Sequence, residues 1–278
     1  MILVADSGST KTSWIVGDAN RRQTYQCGGL SPYFVNENEI ATAVRLLEIP
    51  KENTPTQIFF YGTGCSSDGK KNIVALGIKQ VFPLAAIHIE HDILASAIAT
   101  CQTEPGIACI LGTGTNTCYY DGNTIQKNVP SLGYILSDEG SGNYFGKLLC
   151  RDFFYEIMPA DLRLLFYEKY AIEKTEFLDY IYHKPSPNAY LASFSGFMSE
   201  HREHTYIQTI LQSGFSYFFE MLITKYENHQ RLPIHFIGSI AYNFKVELEK
   251  VAHSYSCKIG VVLQHPIDEL FSYHLPKI

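Results

Sequence analysis

The chain opens on a short apolar run at residues 2–5. A polar stretch follows, Asp6-Ser-Gly-Ser-Thr-Lys-Thr12, then a second run at residues 13–16 and a Gly17-Asp18 turn. This alternation predicts strand, tight polar turn, strand, turn, strand. The pattern returns at residues 107–111, Gly112-Thr-Gly-Thr-Asn-Thr117, residues 118–120 and Asp121-Gly122. An offset of 105 residues sets Thr10 on Thr115, Thr12 on Thr117 and Gly17 on Gly122. A repeat of this kind implies duplicated architecture.

Between the copies the spacing predicts helices over 37–47, 72–81 and 93–101, with strands over 57–61 and 86–90. Strands alternating with helices predict an α/β sheet. Gln102-Thr-Glu-Pro-Gly106 reads as a link between domains. The second half is more helical, with helices expected over 142–155, 161–170, 175–182, 206–226, 241–254 and 266–273. Strands are expected over 232–237 and 259–263, and Lys184-Pro-Ser-Pro187 reads as a break. Phe215, Tyr217, Phe218 and Phe219 read as core in an aromatic helical stripe.

Composition narrows the class. Hydrophobic residues make up 46% of 278, enough for a sizeable core. Lys and Arg number 22 against 28 Asp and Glu, a net charge of −6 with no basic run, so duplex nucleic acid is not an expected partner. No apolar run approaches the ~20 residues that span a bilayer, and the N-terminal apolar stretch is too short for a signal peptide. Seven scattered cysteines without a CxxC pair predict reduced thiols and a cytoplasmic setting.

Both polar turns offer small residues, hydroxyls and free backbone N–H groups, the ingredients of an anion-binding concavity. Gly64-Cys-Ser-Ser-Asp-Gly69-Lys70-Lys71 matches most of a P-loop, but Lys71 stands where Ser or Thr must bind Mg²⁺, so a polar loop opening a helix is the better reading. Asp92 follows a strand and precedes a helix. It can cap that helix and also present a carboxylate at the sheet edge. His91 beside it reads as a structural or rim residue. Asp138 and Glu139 sit among glycines before a helix, where capping alone accounts for acids, or where they could accept hydrogen bonds from sugar hydroxyls. His201-Arg-Glu-His204 has no evident third metal ligand.

Taken in order, these segments resemble a known group. Asp6-Ser-Gly-Ser-Thr-Lys-Thr12 resembles the first phosphate motif of the sugar-kinase/actin/Hsp70 superfamily. Leu111-Gly-Thr-Gly-Thr115 resembles the second, and Phe236-Ile-Gly-Ser-Ile240 the adenosine motif. Gly133 to Gly142, with Ser-Asp-Glu-Gly-Ser inside it, is similar to the N-acetylglucosamine kinase branch, the BadF/BadG-type ATPase family. The motifs keep their order and cover essentially the whole chain.

The resemblance implies an α/β fold of duplicated ribonuclease-H-like (actin-like ATPase) domains with an interdomain cleft. Their expected bounds are 1–104 and 105–278, the second carrying a helical insert and the last helix able to pack back on the first domain. It implies ATP on the second domain, with Mg²⁺ held by Asp6 through water. Ser9, Thr10, Lys11 and Thr12 would meet the phosphates from one side and Gly112, Thr113 and Gly114 from the other, with Gly238 and Ser239 near the adenosine. Asp92 matches the catalytic base, and Ser31, Gly62, Asn116, Asp138 and Glu139 match sugar-facing positions. The implied activity is ATP-dependent phosphorylation of an amino sugar, N-acetylglucosamine at its 6-hydroxyl, by a cytoplasmic enzyme with no membrane partner; a homodimer is a family expectation.

Some residues depart from the family pattern. Ser137 stands where Gly is usual, Ser31 and Pro32 where relatives present Asn to the sugar, and Glu269 where Gly is common. Two other readings stay open. One is an ATPase activator of a dehydratase, which needs cysteines for an iron–sulfur cluster; Cys150 is the nearest, and Arg151-Asp152 beside it do not resemble a cluster loop. The other is a sugar sensor without turnover.

Overall fold

The computed structural model describes residues 1–275. Two compact units divide the chain: Met1–Thr103 together with the segment from His265, and Glu104–Gln264.

The first unit runs β1 (Ile2–Ser7), β2 (Lys11–Gly17), β3 (Arg22–Gly28), α1 (Glu37–Arg45), β4 (Gln57–Gly62), α2 (Asp68–Lys79), β5 (Ala86–His91) and α3 (Asp92–Cys101). Its sheet has the order β3-β2-β1-β4-β5. The first three strands form an antiparallel meander, and β4 and β5 add parallel to β1. Local chemistry sets the helix starts. Asn36 and Glu39 form a reciprocal capping box at α1, and Ser67 caps α2 by accepting from the Lys70 N–H. That cap starts α2 earlier than hydrophobic periodicity alone indicates. It also puts Gly69, Lys70 and Lys71 inside the helix, so no phosphate-cradling loop exists there.

The second unit runs β6 (Gly106–Leu111), β7 (Thr115–Tyr120), β8 (Ile125–Val129), α4 (Gly133–Leu136), α5 (Gly142–Phe154), α6 (Ala160–Tyr170), α7 (Lys174–His183), α8 (Pro187–Ser193), α9 (Gly196–Glu200), α10 (Thr205–Met221), β9 (Pro233–Ile237), α11 (Ser239–Asn243), α12 (Lys245–Ser254) and β10 (Lys258–Leu263). Its sheet order, β10-β9-β6-β7-β8, repeats that of the first unit, again with an antiparallel meander followed by parallel strands. The chain is a duplicated ribonuclease-H-like α/β fold.

The strand registers correct the offset of the repeat. Ser7 pairs with Thr12 in one meander and Leu111 with Thr115 in the other, so Thr12 corresponds to Thr115 and not to Thr117. The second polar turn is therefore one residue shorter. The next turn reveals a match that the earlier offset hides. The Asp18 carboxylate accepts from the Asn20 and Arg21 N–H groups, and the Asp121 carboxylate from those of Asn123 and Thr124. Backbone donors hold both acids below the usual carboxylate range.

Three short helices, α4, α8 and α9, lie where sequence periodicity gives no helix. Pro187 explains α8: it occupies the first helical turn, where its missing N–H costs nothing. The helix expected over 241–254 breaks at Phe244, whose ring is buried where the chain bends between α11 and α12. The helix expected over 206–226 ends at Met221 and passes into a 3₁₀ turn. Phe215, Phe218 and Phe219 are buried in the second unit's core, while Tyr217 is exposed.

The last helix, α13 (Ile267–His274), buries Ile267, Leu270 and Phe271 and packs on β1, β2 and α3 of the first unit. His274 stacks on Phe59 at 3.7 Å and bonds the Tyr61 hydroxyl at 2.8 Å. Within the second unit α5 meets α8 backbone to backbone, and a Cβ on Gly146 would lie 1.8 Å from the Leu191 carbonyl oxygen. Gly146→Ala is expected to destabilise the protein by about 1–3 kcal/mol or more through overpacking, read as a lowered urea midpoint; an unchanged midpoint would contradict this packing.

Candidate active site

In the first unit three parallel strands deliver their carboxyl ends to one edge. Ser7 of β1 is in register with Gly62 of β4, which is in register with His91 of β5. Asp6, Thr63 and Asp92 flank that row. Such edges are where α/β proteins gather ligands. Asp92 is the first residue of α3, and His91 occupies the cap position without a side-chain cap bond. Asp92 therefore does not cap the helix. Its carboxylate accepts from the Thr63 hydroxyl at 2.5 Å.

Burial, followed by the negative charge of Asp92, pushes the Asp6 carboxyl up to about 7, against a smaller opposing pull from Lys11. Two acids acting on each other with too little positive charge between them form a donor set suited to a divalent cation. Asp6 is thus the residue here whose chemistry fits a Mg²⁺ ion, a hard cation that takes oxygen ligands. No cluster of three or more His, Cys, Asp or Glu side chains able to hold a metal exists among the described residues.

The first turn, Gly8 to Lys11, closes through Gly8 N–H to Lys11 O at 2.9 Å. Side chains brace it from below. The Ser7 and Thr12 hydroxyls share a 2.8 Å hydrogen bond, the Leu30 N–H donates to Ser7 Oγ, and Thr12 donates to the Gly28 carbonyl. Gly29 lies flat on the turn, and a Cβ there would come within 2.4 Å of the Ser9 carbonyl oxygen. The chain then enters Ser31-Pro32-Tyr33, pinned by Lys70 donating to the Pro32 carbonyl and by contact between the Tyr33 and Ser66 hydroxyls. Ser31 is 2% exposed and its hydroxyl has no hydrogen-bond partner. Lys71 is engaged by Glu90 at 2.6 Å.

In the second unit the turn Gly112-Thr113-Gly114 is held by α5. The Gly142 N–H donates to Gly112 O at 2.8 Å and the Asn143 N–H to Thr113 O at 3.0 Å. A trans peptide points its carbonyl and its own N–H in opposite directions. With those two carbonyls turned to α5, the N–H groups of Thr113 and Gly114 face away from it, and neither has a hydrogen-bond partner among the described residues. Two adjacent free N–H groups form an anion nest. Gly238 crosses beside this turn in a left-handed conformation (φ +119°), where a Cβ would sit 2.4 Å from the Leu111 carbonyl oxygen. Ser239 next to it is exposed at the start of α11.

The sequence-derived positions thus fall into two groups. Asp6, Ser9, Thr10, Lys11, Thr12, Ser31, Gly62 and Asp92 lie around the carboxyl edge of the first sheet. Gly112, Thr113, Gly114, Asp138 and Gly238 lie around the second turn. Asn116 departs from its expected loop. It is the second residue of β7, and its side-chain oxygen accepts from the Thr117 N–H and from Asn128. The shorter second turn draws it into the strand. The capping role open to Asp138 and Glu139 belongs to Ser141, which accepts from the Tyr144 N–H. Asp138 instead accepts from the Thr115 N–H and from Asn143, and buried Glu139 accepts from the Ser137 hydroxyl. Thr63, Ser7 and Asn143 escaped sequence reasoning. Each has a common local role as a turn or helix-start residue, which masks its long-range partner. His204 caps α10, and Cys150 is buried with its thiol pushed well up by burial, which does not suit a cluster ligand.

Duplicated sheets with a braced turn after the first strand of each define an actin-like ATPase fold of the sugar-kinase type. A candidate N-acetylglucosamine kinase from Porphyromonas gingivalis is 36% identical, with a TM-score of 0.93 over 99% of this chain and 98% of that one. The chain belongs to the N-acetylglucosamine kinase-like family, a branch of the ATP-dependent sugar kinases. A candidate N-acetylglucosamine kinase from Chromobacterium violaceum shares the fold at 13% identity and a TM-score of 0.74, covering 98% of both chains. A ROK-family glucokinase from Streptomyces griseus, in complex with glucose and AMPPNP, also shares it, at 13% identity and a TM-score of 0.55 over 94% and 93% of the two chains. No family model matches the sequence, and a comparison with curated proteins gives no match.

The raised Asp6 value has a stability consequence with a definite sign. Burial pushes this carboxyl in the folded state up to about 7, while in the unfolded chain it is an ordinary aspartate of pKa ~3.9. The folded state therefore binds more protons between those values, and stability falls as pH rises through that window. Asp6→Asn is expected to be more stable than wild type by on the order of 1–3 kcal/mol at pH 7.5, without nucleotide or metal, and to lose that advantage by pH 4. Denaturant titrations at the two pH values check this.

Proposed function

We propose that this protein transfers the γ-phosphoryl group of ATP to an amino sugar, N-acetylglucosamine at its 6-hydroxyl, with Asp92 as the general base. The observation that carries the reading is the acid pair at the carboxyl edge of the first sheet: Asp92, oriented by Thr63, beside the buried Asp6. Phosphoryl transfer depends mainly on positioning and on charge neutralisation. Mg²⁺, once bound, would neutralise charge on the phosphates, and Asp6 would hold it, through water as the family resemblance implies. The Thr63 hydroxyl fixes the rotamer of Asp92, whose carboxylate takes the proton of the attacking sugar hydroxyl.

Ser9, Thr10, Lys11 and Thr12 serve one phosphate-binding turn, and the free N–H groups of Thr113 and Gly114 serve the other. Gly238 and Ser239 border the adenosine. The unpartnered Ser31 hydroxyl supports a sugar-facing role, since a buried hydroxyl without a partner costs about 1–3 kcal/mol until a ligand supplies one. Gly62 lines the same strand edge, where a Cβ would meet the Phe60 ring at 2.5 Å. Asn116, Asp138 and Glu139 complete the proposed sugar-side set; the two carboxylates keep acceptor capacity beyond their in-chain bonds, while Asn116, whose side-chain oxygen already accepts twice, would offer its amide N–H groups. No described helix is long and apolar enough to cross a membrane, and the seven free thiols support a reducing, cytoplasmic setting.

The test is ADP release from Mg-ATP with N-acetylglucosamine, glucosamine, N-acetylmuramic acid, glucose and no sugar. Wild type is expected to turn over N-acetylglucosamine well above the blank. Asp92→Asn is expected to keep its melting temperature within a few degrees and to lose on the order of 10²-fold or more in kcat. Turnover within threefold of wild type in that variant would remove Asp92 from the mechanism, and a flat response across all sugars would remove the kinase reading.

A further inference from the structure

Asp138 is 5% exposed and adopts a left-handed backbone (φ +69°), an uncommon conformation for a residue with a side chain. What this conformation achieves is visible in its bonds. One carboxylate oxygen accepts from the Thr115 N–H at 2.9 Å, and the other accepts from Asn143 Nδ2 at 2.6 Å. The carboxylate also lies over Gly114, where a Cβ would be 2.9 Å from it. Asn143 Nδ2 donates at the same time to the Thr113 carbonyl at 2.7 Å, which already accepts from the Asn143 backbone. Thr115 closes the circuit by donating its hydroxyl to the Glu139 carbonyl at 2.9 Å.

Asn143 is fully buried, and its own Oδ1 has no partner. Both neighbours of its Nδ2 are pure acceptors, so the amide cannot flip to relieve that cost. Its donor end therefore carries the role of this residue.

We infer that Asp138 and Asn143 are positioning residues for the nucleotide: their side chains fix the Thr113–Gly114 and Gly114–Thr115 peptide planes, beside the α5 backbone N–H groups that hold the Gly112 and Thr113 carbonyls, so that the Thr113 and Gly114 N–H groups face a phosphate. The inference rests on the kinase reading and deepens it by giving Asp138 a nucleotide-side task. A carboxylate serving only a sugar hydroxyl would need neither the Thr115 N–H nor the Asn143 amide. With these side-chain bonds removed, the Thr113 carbonyl keeps only its Asn143 backbone bond, and the Thr113–Gly114 peptide is freer to tilt before any phosphate arrives.

The test measures ADP and N-acetylglucosamine affinities separately by calorimetry on wild type, Asp138→Asn, Asn143→Ser and the double variant. Each single change is expected to weaken ADP binding at least tenfold, and Asn143→Ser, outside the sugar-side set, is expected to change sugar affinity less than threefold. The double variant is expected to be no weaker for ADP than the worse single one, because the two residues share a bond. Folded variants that bind ADP like wild type, or that lose only sugar affinity, overturn the inference and leave the kinase reading intact. Absence of ADP binding by wild type itself overturns the kinase reading and the inference with it. Amide exchange on wild type gives a readout that needs no variant to fold. The Thr115 amide is expected to be protected with and without ADP, and those of Thr113 and Gly114 only with it. Fast exchange at Thr115 in the free protein would overturn the inference.

Discussion

Every backbone N–H and C=O that a strand ladder ceases to pair must find another partner or face solvent or a ligand. In both units this demand is sharpest after the first strand, where the chain leaves the sheet for a few residues and then returns. What surrounds those turns follows from how the demand is met. The first turn is braced by side chains, with Ser7 and Thr12 hydroxyls tying it to Gly28 and Leu30. The second is braced by the start of a helix, with two N–H groups of α5 taking its carbonyls. The same topology thus carries two different chemical solutions. The hydroxyl brace has a carboxylate, Asp6, one residue before the end of its strand, while the helix brace has an apolar strand end, Leu111, and takes its acid, Asp138, from the segment that leads into α5.

This asymmetry also explains the electrostatics. The first unit gathers two acids at its sheet edge, where burial and the charge of Asp92 raise the cost of ionising Asp6. The second offers uncovered N–H groups and spends its nearby acid internally. One edge invites a cation and the other an anion.

Much of this was legible in the sequence, for reasons that differ by element. The meanders, the parallel strands and the two polar turns announce themselves through short apolar runs and Gly-rich punctuation. The repeat was visible at an offset of 105, whereas the register sets it at 104 before the turn and 103 after it, because the second turn is one residue shorter. The match of Asp18 with Asp121 and of Asn20 with Asn123 emerges only from strand register. Asp92 was legible as a sheet-edge acid. Its partner Thr63 was not, because residues following a strand give no sign of what they bond across it. Asn143 reads as one more polar residue at a helix start, and its bonds to Thr113 and Asp138 depend on tertiary placement. The short helices α8 and α9 fail the periodicity test because they are too brief to show a stripe.

The return of α13 to the first unit gives the chain an order of completion. The second unit is continuous, so all of its residues are synthesised before the segment from His265. The first unit is not. Its sheet waits through the synthesis of Glu104–Gln264 for Ile267, Leu270 and Phe271 to cover it. At ~5–20 residues per second that delay lasts on the order of ten seconds or more. The part of the protein begun first is therefore finished last, and a chain truncated before α13 would leave an apolar sheet face bare for chaperones and proteases to find.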